Sequence, residues 1–352
     1  MSVSAIIVNY YTGKFLIPLL KVLNRDSIIS EIIVVNNSPS DGLDDHLASF
    51  NKTKQIVNIK NEGFAKAVNI GTAIAKGDWL LLINPDTKPD KNCIKKLLKG
   101  AIESDALIAG PRFFWDDKKK FKLPPALGYS WSIHTAMQSS TRFALDAKLF
   151  SFYWQIRHEK FWSETQPFFE PFLSGACLLI RNDKNHFRNG KIFDERYFLY
   201  FEDTDLCANA LLDEDVMVCI PDAHVVHYWN QSPTNNKSQL MVEMMHLFLN
   251  KYYSQSVSAI PKGTYEPEDC ENLGCLNEPP HFLIHSTSFF KNLLLEIALN
   301  PFFVPFMQAD FNQNPLSIPR KSWELLGPGT YFARLRKSHS NKVIRKWSWK
   351  KL

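Results

Sequence analysis

Over the first hundred residues, short aliphatic or β-branched runs alternate with helix-like segments, an order that leaves few folds open. The runs are Ser4 to Val8, Glu31 to Val35, Gln55 to Ile59 and Trp79 to Ile83. Strands separated by helices predict a parallel sheet covered by helices, an α/β fold. Three of the runs end in small polar residues: Asn9-Tyr10, Asn36 through Gly42, and Asn84-Pro85-Asp86. In such sheets ligands bind beyond the carboxyl ends of the strands, so these three loops are expected to face one cleft.

Two further segments bear on chemistry. Asn61 to Gly71 places a glycine turn ahead of a helix whose small residues permit close approach to a ligand or a strand. A phosphate could sit at that helix start. The segment has neither the P-loop ending nor the dinucleotide glycine spacing. Residues 193–205 then gather five carboxylates, Asp194, Glu195, Glu202, Asp203 and Asp205, around an aromatic run. Crowded acids raise one another's proton affinity, which suits a base or a cation site. The alternative is a helix first turn, where acids are favoured by the dipole with no chemistry attached.

The 352 residues are 45% hydrophobic, normal for globular protein, and contain no twenty-residue apolar run. Met1-Ser2-Val3-Ser4 leads into a strand-like segment without signal-peptide regions, so the expected location is cytoplasmic, or at the inner face of a membrane. Cys93, Cys177, Cys207 and Cys219 lie in apolar surroundings and read as buried free thiols. The net charge of +5 is modest, and no nucleic-acid partner is expected. Charge is concentrated from Arg320 onward, where ten Lys or Arg residues stand against one acid, Glu324. That tail reads as a solvated basic face. Interleaved with Trp323, Tyr331, Phe332, Trp347 and Trp349, it is also the candidate for peripheral membrane association.

The expected organisation is one domain over residues 1–232, a helical extension over 233–315 and a small basic antiparallel β appendage over 316–352. Within the first, residues 113–172 form an aromatic-rich insertion suited to burial and to contact with a sugar or lipid acceptor. A helix is predicted from Ser238 to Tyr253, and strands at Ser322 to Leu326, Thr330 to Arg336 and Val343 to Trp349. The apolar stretch from Phe282 to Phe306 carries Lys291, Glu296 and two prolines, which makes it unsuitable for spanning a bilayer. Cys270, Cys275, His281 and His285 are too unevenly spaced for a zinc finger; a loop and helix are expected there.

Seven motifs occur in order: Asn9-Tyr10, Asn37-Ser38, Asn61-x-Gly63-Phe64-Ala65-x-Ala67-x-Asn69, Asn84-Pro85-Asp86-Thr87, Gly175 to Arg181, Phe193 to Phe198, and Glu202-Asp203-Thr204-Asp205. Together they resemble family 2 glycosyltransferases of the rhamnosyltransferase-like branch, over roughly the first 230 residues. The resemblance implies a GT-A fold, a mixed, mostly parallel sheet flanked by helices. It also implies a nucleotide-sugar donor, a glycan or lipid-linked acceptor, Mn²⁺ or Mg²⁺, and inversion in a single displacement. Asn9, Tyr10, Asn36, Asn37, Asn61, Gly63, Asn69, Asn84 and Asp86 fall at donor-side positions, and Gly175 and Ala176 on the acceptor side. Asp86 and His227 match metal-ligand positions. Asp203 matches the base that takes the acceptor proton, with Glu202 beside it and Asp205 structural. Without the resemblance, His227 reads as a satisfied core histidine.

Two positions depart from the family pattern. Asn84 stands where members often carry the first acid of Asp-x-Asp, and Asn36 where an acid contacts the base or ribose. An amide still accepts a hydrogen bond, so a uracil or thymine ring stays readable. The donors considered are dTDP-rhamnose and UDP-hexoses. Two lost carboxylates also admit a rival, a non-catalytic nucleotide-sugar or glycan-binding protein, and a third reading makes the basic C-terminal module the main docking part. Retention of Asp86, Asp203 and His227 favours catalysis.

Overall fold

The computed structural model describes residues 1–39, 41–183, 186–229, 231–233, 236–253, 269–284, 292–338, 340 and 342–352. In chain order the first elements are β1 (Val3–Asn9), α1 (Gly13–Leu23), β2 (Ile29–Asn36), α2 (Asp44–Leu47), β3 (Thr53–Val57), α3 (Phe64–Ile74), β4 (Trp79–Ile83), β5 (Thr87–Pro89), α4 (Cys93–Glu103) and β6 (Ile108–Phe114). There follow β7 (Phe121–Lys122), α5 (Trp131–Ser140), α6 (Ala144–Ser163), β8 (Phe168–Phe169), β9 (Cys177–Arg181), α7 (Glu202–Leu212), β10 (Met217–His227) and α8 (Lys237–Tyr253). The last are β11 (Cys270–Leu276), β12 (His281–Phe282), β13 (Leu293–Ala298), β14 (Phe306–Asp310), β15 (Leu316–Ser317), α9 (Arg320–Leu325), β16 (Gly329–Lys337) and β17 (Val343–Lys351).

Two compact units result, one formed by residues 1–112, 164–227 and 231–259, the other by 113–163, 228–230 and 260–352. The first holds the expected α/β fold. Its strands run β3-β2-β1-β4 in parallel, and β9 then pairs antiparallel with β4. Every residue of β1 and β4 is buried, as continuous aliphatic runs require when both faces of a sheet are covered. Helix α3 packs tightly because of a glycine: a Cβ on Gly71 would lie 2.8 Å from Ile6 Cγ2 on β1. The third strand ends earlier than its sequence suggested, leaving Ile59 96% exposed beyond it.

In the second unit the strand order is β11-β17-β16-β13-β14-β7, antiparallel except for β11 beside β17. Several expectations are corrected here. After α8, the described part of 233–315 is built of strands, and the run Leu293-Leu294-Leu295 is strand β13; an apolar run this short has no period that separates strand from helix. Ser322 to Leu326 lies largely within helix α9. Cys270 and Cys275 lie on β11, while His285 and Asn341 fall outside the described residues. The aromatic residues of the basic tail face inward: Trp323, Tyr331, Trp347 and Trp349 are buried, the last two sharing one face of β17 through their two-residue spacing. Arg334 and Arg336 are buried too. Their Nε atoms donate to Glu296 on β13, at 2.6 and 2.5 Å. A buried acid recruits these cations, so that part of the tail is core and not a solvated or headgroup-facing surface.

Candidate functional site

The site lies in the first unit, where the loops after β1, β2 and β4 meet the segment before β9 and the start of α7. Asn9, at the end of β1, is buried. Its amide nitrogen reaches Asn36 Oδ1, Ser38 Oγ and Asp41 Oδ2 at 2.9, 3.0 and 2.6 Å, and its oxygen accepts from Thr12. Asn36 donates in turn to Asp41 Oδ1 at 3.1 Å and accepts from the Ser38 backbone. Asp41 therefore brings a carboxylate to the loop in which Asn36 lacks one. Asp41 was not among the candidate site residues above; its one sequence signal is an acid five residues after the Asn that ends β2.

The next donor-side positions act as braces between loops. Asn37 donates to Gly63 O at 3.1 Å, and Asn61 Oδ1 accepts from the Gly63 amide in a local turn. Gly63 has φ of +84°, and a Cβ there would lie 2.7 Å from Phe198 O, so both backbone geometry and space call for glycine. The Phe64 amide, first of α3, donates to the same Phe198 oxygen at 2.7 Å. One N–H of the helix start considered for a phosphate is thus held by protein. Asn69 fastens residues 193–195 by donating to Phe193 O and Glu195 Oε1 while accepting from the Phe193 amide. Tyr10 stacks edge-on against Tyr11, with ring centroids 5.0 Å apart.

Asn84 and Asp86 follow β4. The Asn84 amide donates to Ala176 O at 2.9 Å, and the adjacent Gly175 amide donates to Asp203 Oδ2 at 2.8 Å. One short segment therefore ties the Asp86 loop to the first turn of α7. A Cβ on Gly175 would stand 3.0 Å from the Asp203 Cβ, so this approach depends on glycine. Asp86 is buried, and β5 pairs antiparallel with β10 so that Thr87 lies opposite His227. That register sets His227 Nε2 3.6 Å from Asp86 Oδ1. Burial works to raise the Asp86 carboxyl, but the neighbouring His227 and backbone N–H groups of Asp86 and Gln231 outweigh it and leave the group below its ordinary value. Lys237, the first residue of α8, also escaped the sequence reading. Burial lowers its pKa against the opposing attraction of Asp86, whose field it therefore feels.

The five carboxylates of 193–205 divide by partner. Asp194 is held well below the usual range by the Arg196 side chain, opposed by burial and assisted by Lys251. Glu195 pairs with Lys191 at 2.9 Å. Asp205 is buried against Lys251 Nζ at 2.7 Å, with Tyr197 and Tyr252 hydroxyls also donating to it, which is the structural role expected of it. Among the described residues no ion pair involves Glu202 or Asp203. Tyr200 and Phe201, with φ of 74° and 68°, turn the chain through two left-handed residues just before them, at a cost of roughly 1 kcal/mol each.

Burial raises the Asp203 carboxyl, opposed by the Gly175 and Thr204 amides, while the residue keeps partial solvent access. Glu202 is buried more completely, its Oε2 has no hydrogen-bond partner, and burial followed by the Asp203 charge pushes it up to about 8. The stability consequence has a definite sign. Between about pH 4.5 and pH 8 the unfolded chain ionises this group while the folded chain keeps its proton, so stability falls as pH rises. Glu202→Gln should unfold in denaturant like the wild type near ~pH 5 and be more stable near ~pH 9, by on the order of 3 kcal/mol. Parallel stability curves at all pH values would remove the buried charge as their cause.

The family model "Glycosyl transferase family 2" matches residues 4–185, and the chain belongs to that family. It is a glycosyltransferase. It is 27% identical over 238 residues to the dTDP-rhamnosyl transferase RfbF of Shigella flexneri, covering 64% of this chain and 69% of that protein. It is 30% identical over 158 residues to an N-acetylglucosaminyl-diphospho-decaprenol L-rhamnosyltransferase of Mycobacterium tuberculosis, covering 43% of this chain and 47% of that one. Among solved structures it is similar to GalNAc-T7 with UDP, GalNAc and Mn²⁺, with a TM-score of 0.46 and 14% identity over 64% of this chain and 44% of that one.

Proposed function

We propose that the chain transfers a sugar, with inversion in a single displacement, from a nucleotide-diphosphate donor to a hydroxyl of a growing polysaccharide or lipid-linked glycan. The first choice of donor is dTDP-rhamnose, which the name of one relative carries, and UDP-hexoses are the second choice. One observation carries the reading: of five clustered acids, the two without a cation stand at the first turn of α7, one of them hydrogen-bonded to Gly175. Asp203 would take the acceptor proton, being the more accessible of the two and raised toward neutrality. Glu202 holds its proton up to about pH 8 and would share it with the neighbouring Asp203, so the pair titrates as a unit.

Asp86 and His227 would hold Mn²⁺ or Mg²⁺. Their side chains converge to 3.6 Å, but among the described residues no group of three or more His, Cys, Asp or Glu gathers, so diphosphate oxygens and water must complete the set. A bound cation of this kind stabilises the departing diphosphate. Asn9, Asn36, Ser38 and Asp41 shape the wall on which the nucleoside would rest, and Lys237 adds positive charge near Asp86. Calorimetric titration with UDP, dTDP and GDP, each with and without Mn²⁺, tests the reading. Metal-dependent binding of dTDP or UDP is the expected result; a folded protein that binds none of the three would be the non-catalytic alternative.

A further inference from the structure

Helix α6 is apolar on two faces, and only one of them is packed. Ala147, Phe150 and Trp154 are buried in a cluster with Phe302, Phe303 and Phe306. The opposite face carries Leu145, Leu149, Phe152, Tyr153 and Ile156, exposed by 67, 58, 42, 53 and 52%. At helical spacing these five fall within an arc of about 100°. Single exposed apolar residues need no explanation, whereas a contiguous stripe three turns long marks a surface that something covers.

Charge identifies the occupant. Arg142, Lys148 and Lys160 are exposed beside the stripe. The helix's two acids between them are engaged elsewhere: Asp146 accepts from Ser139 Oγ, and Glu159 accepts from the buried Arg336 at 2.8 Å. Three exposed cations thus flank the stripe against two acids, of which Glu159 is paired with Arg336, and the face carries a net positive charge. We propose that it docks on an anionic lipid surface, with the apolar side chains entering the headgroup boundary and the three cations meeting lipid phosphates. A second copy fits less well, because a symmetric contact would set the same cations against each other. Spanning is not involved; no helix among the described residues is long and apolar enough to cross a membrane. This surface belongs to the insertion between β7 and β8, not to the C-terminal tail, whose Trp323, Tyr331, Trp347 and Trp349 are buried.

The test is independent of the transferase reading, since the vesicles carry neither donor nor acceptor. The full chain is floated with vesicles of phosphatidylcholine alone, or of phosphatidylcholine and phosphatidylglycerol in equal parts. The bound fraction should rise at least about tenfold with the anionic lipid and fall again at high salt. The double variant Leu149→Glu/Phe152→Glu should lose at least about tenfold in binding. The triple variant Arg142→Glu/Lys148→Glu/Lys160→Glu, which leaves every apolar contact intact, should lose the preference for anionic lipid. All the substituted residues are exposed, and unchanged circular dichroism confirms that both variants fold. Wild-type protein that ignores the anionic lipid would overturn the proposal, as would variants that bind like wild type. So would a wild-type dimer, seen by light scattering, that the double variant converts to monomer.

Discussion

Asp203→Asn is expected to lower transfer by about 10²- to 10⁴-fold while leaving the donor dissociation constant within about twofold of wild type. The asymmetry follows from what the substitution keeps. The Asn oxygen can still accept from the Gly175 amide, which in the native chain donates to Asp203 Oδ2 at 2.8 Å, so the segment that also holds the Asn84 loop stays in place. Proton acceptance is what disappears. Transfer rates and calorimetric donor affinities measured on the same preparations check both halves. The pH profile adds a further readout: wild-type kcat/KM should rise as the Glu202–Asp203 pair loses its proton, with an apparent pKa above the usual carboxylate range because burial raises both groups. Glu202→Gln is the paired comparison. Should it silence transfer while Asp203→Asn does not, the base is Glu202, whose unpartnered Oε2 would then be the accepting atom.

That pair illustrates what the chain discloses in one dimension. The crowding of five acids is visible in sequence, but which of them are neutralised is not, because Lys251 reaches Asp205 from 46 residues downstream. The same limit explains the tail. Arg334 and Arg336 read as surface charge until Glu296, 38 and 40 residues away, comes onto the neighbouring strand. Strands β1, β2 and β4 were legible because both faces are buried and the aliphatic runs continue unbroken. By contrast α9 has only six residues, too few for a period to declare itself. Helix α6 hides differently, since its packed and exposed faces are both apolar and leave no amphipathic signal. Asp41 is not legible as a site residue in sequence, because its part depends on contacts with Asn9 and Asn36 that only the folded loop makes. It lies five residues from Asn36, through a turn that places both side chains on Asn9.

Asp86→Ala should weaken donor binding in the presence of Mn²⁺ on the order of a hundredfold and leave metal-free binding nearly unchanged. The residue is buried, its carboxyl is held below its ordinary value despite that burial, and His227 lies 3.6 Å away across the β5–β10 pairing. A carboxylate kept ionised in a buried place, beside an imidazole that can coordinate, suits a cation that only a diphosphate completes. Chelation offers the internal control: wild type in EDTA should fall to the affinity of the variant. His227→Ala should produce a smaller loss in the same direction, because it removes a neutral ligand and leaves the charge. If both residues hold one ion, the double variant should lose scarcely more than Asp86→Ala alone, whereas independent structural roles would give additive losses. An Mn²⁺ response that survives Asp86→Ala unchanged would move the cation, and with it the diphosphate, away from this pair.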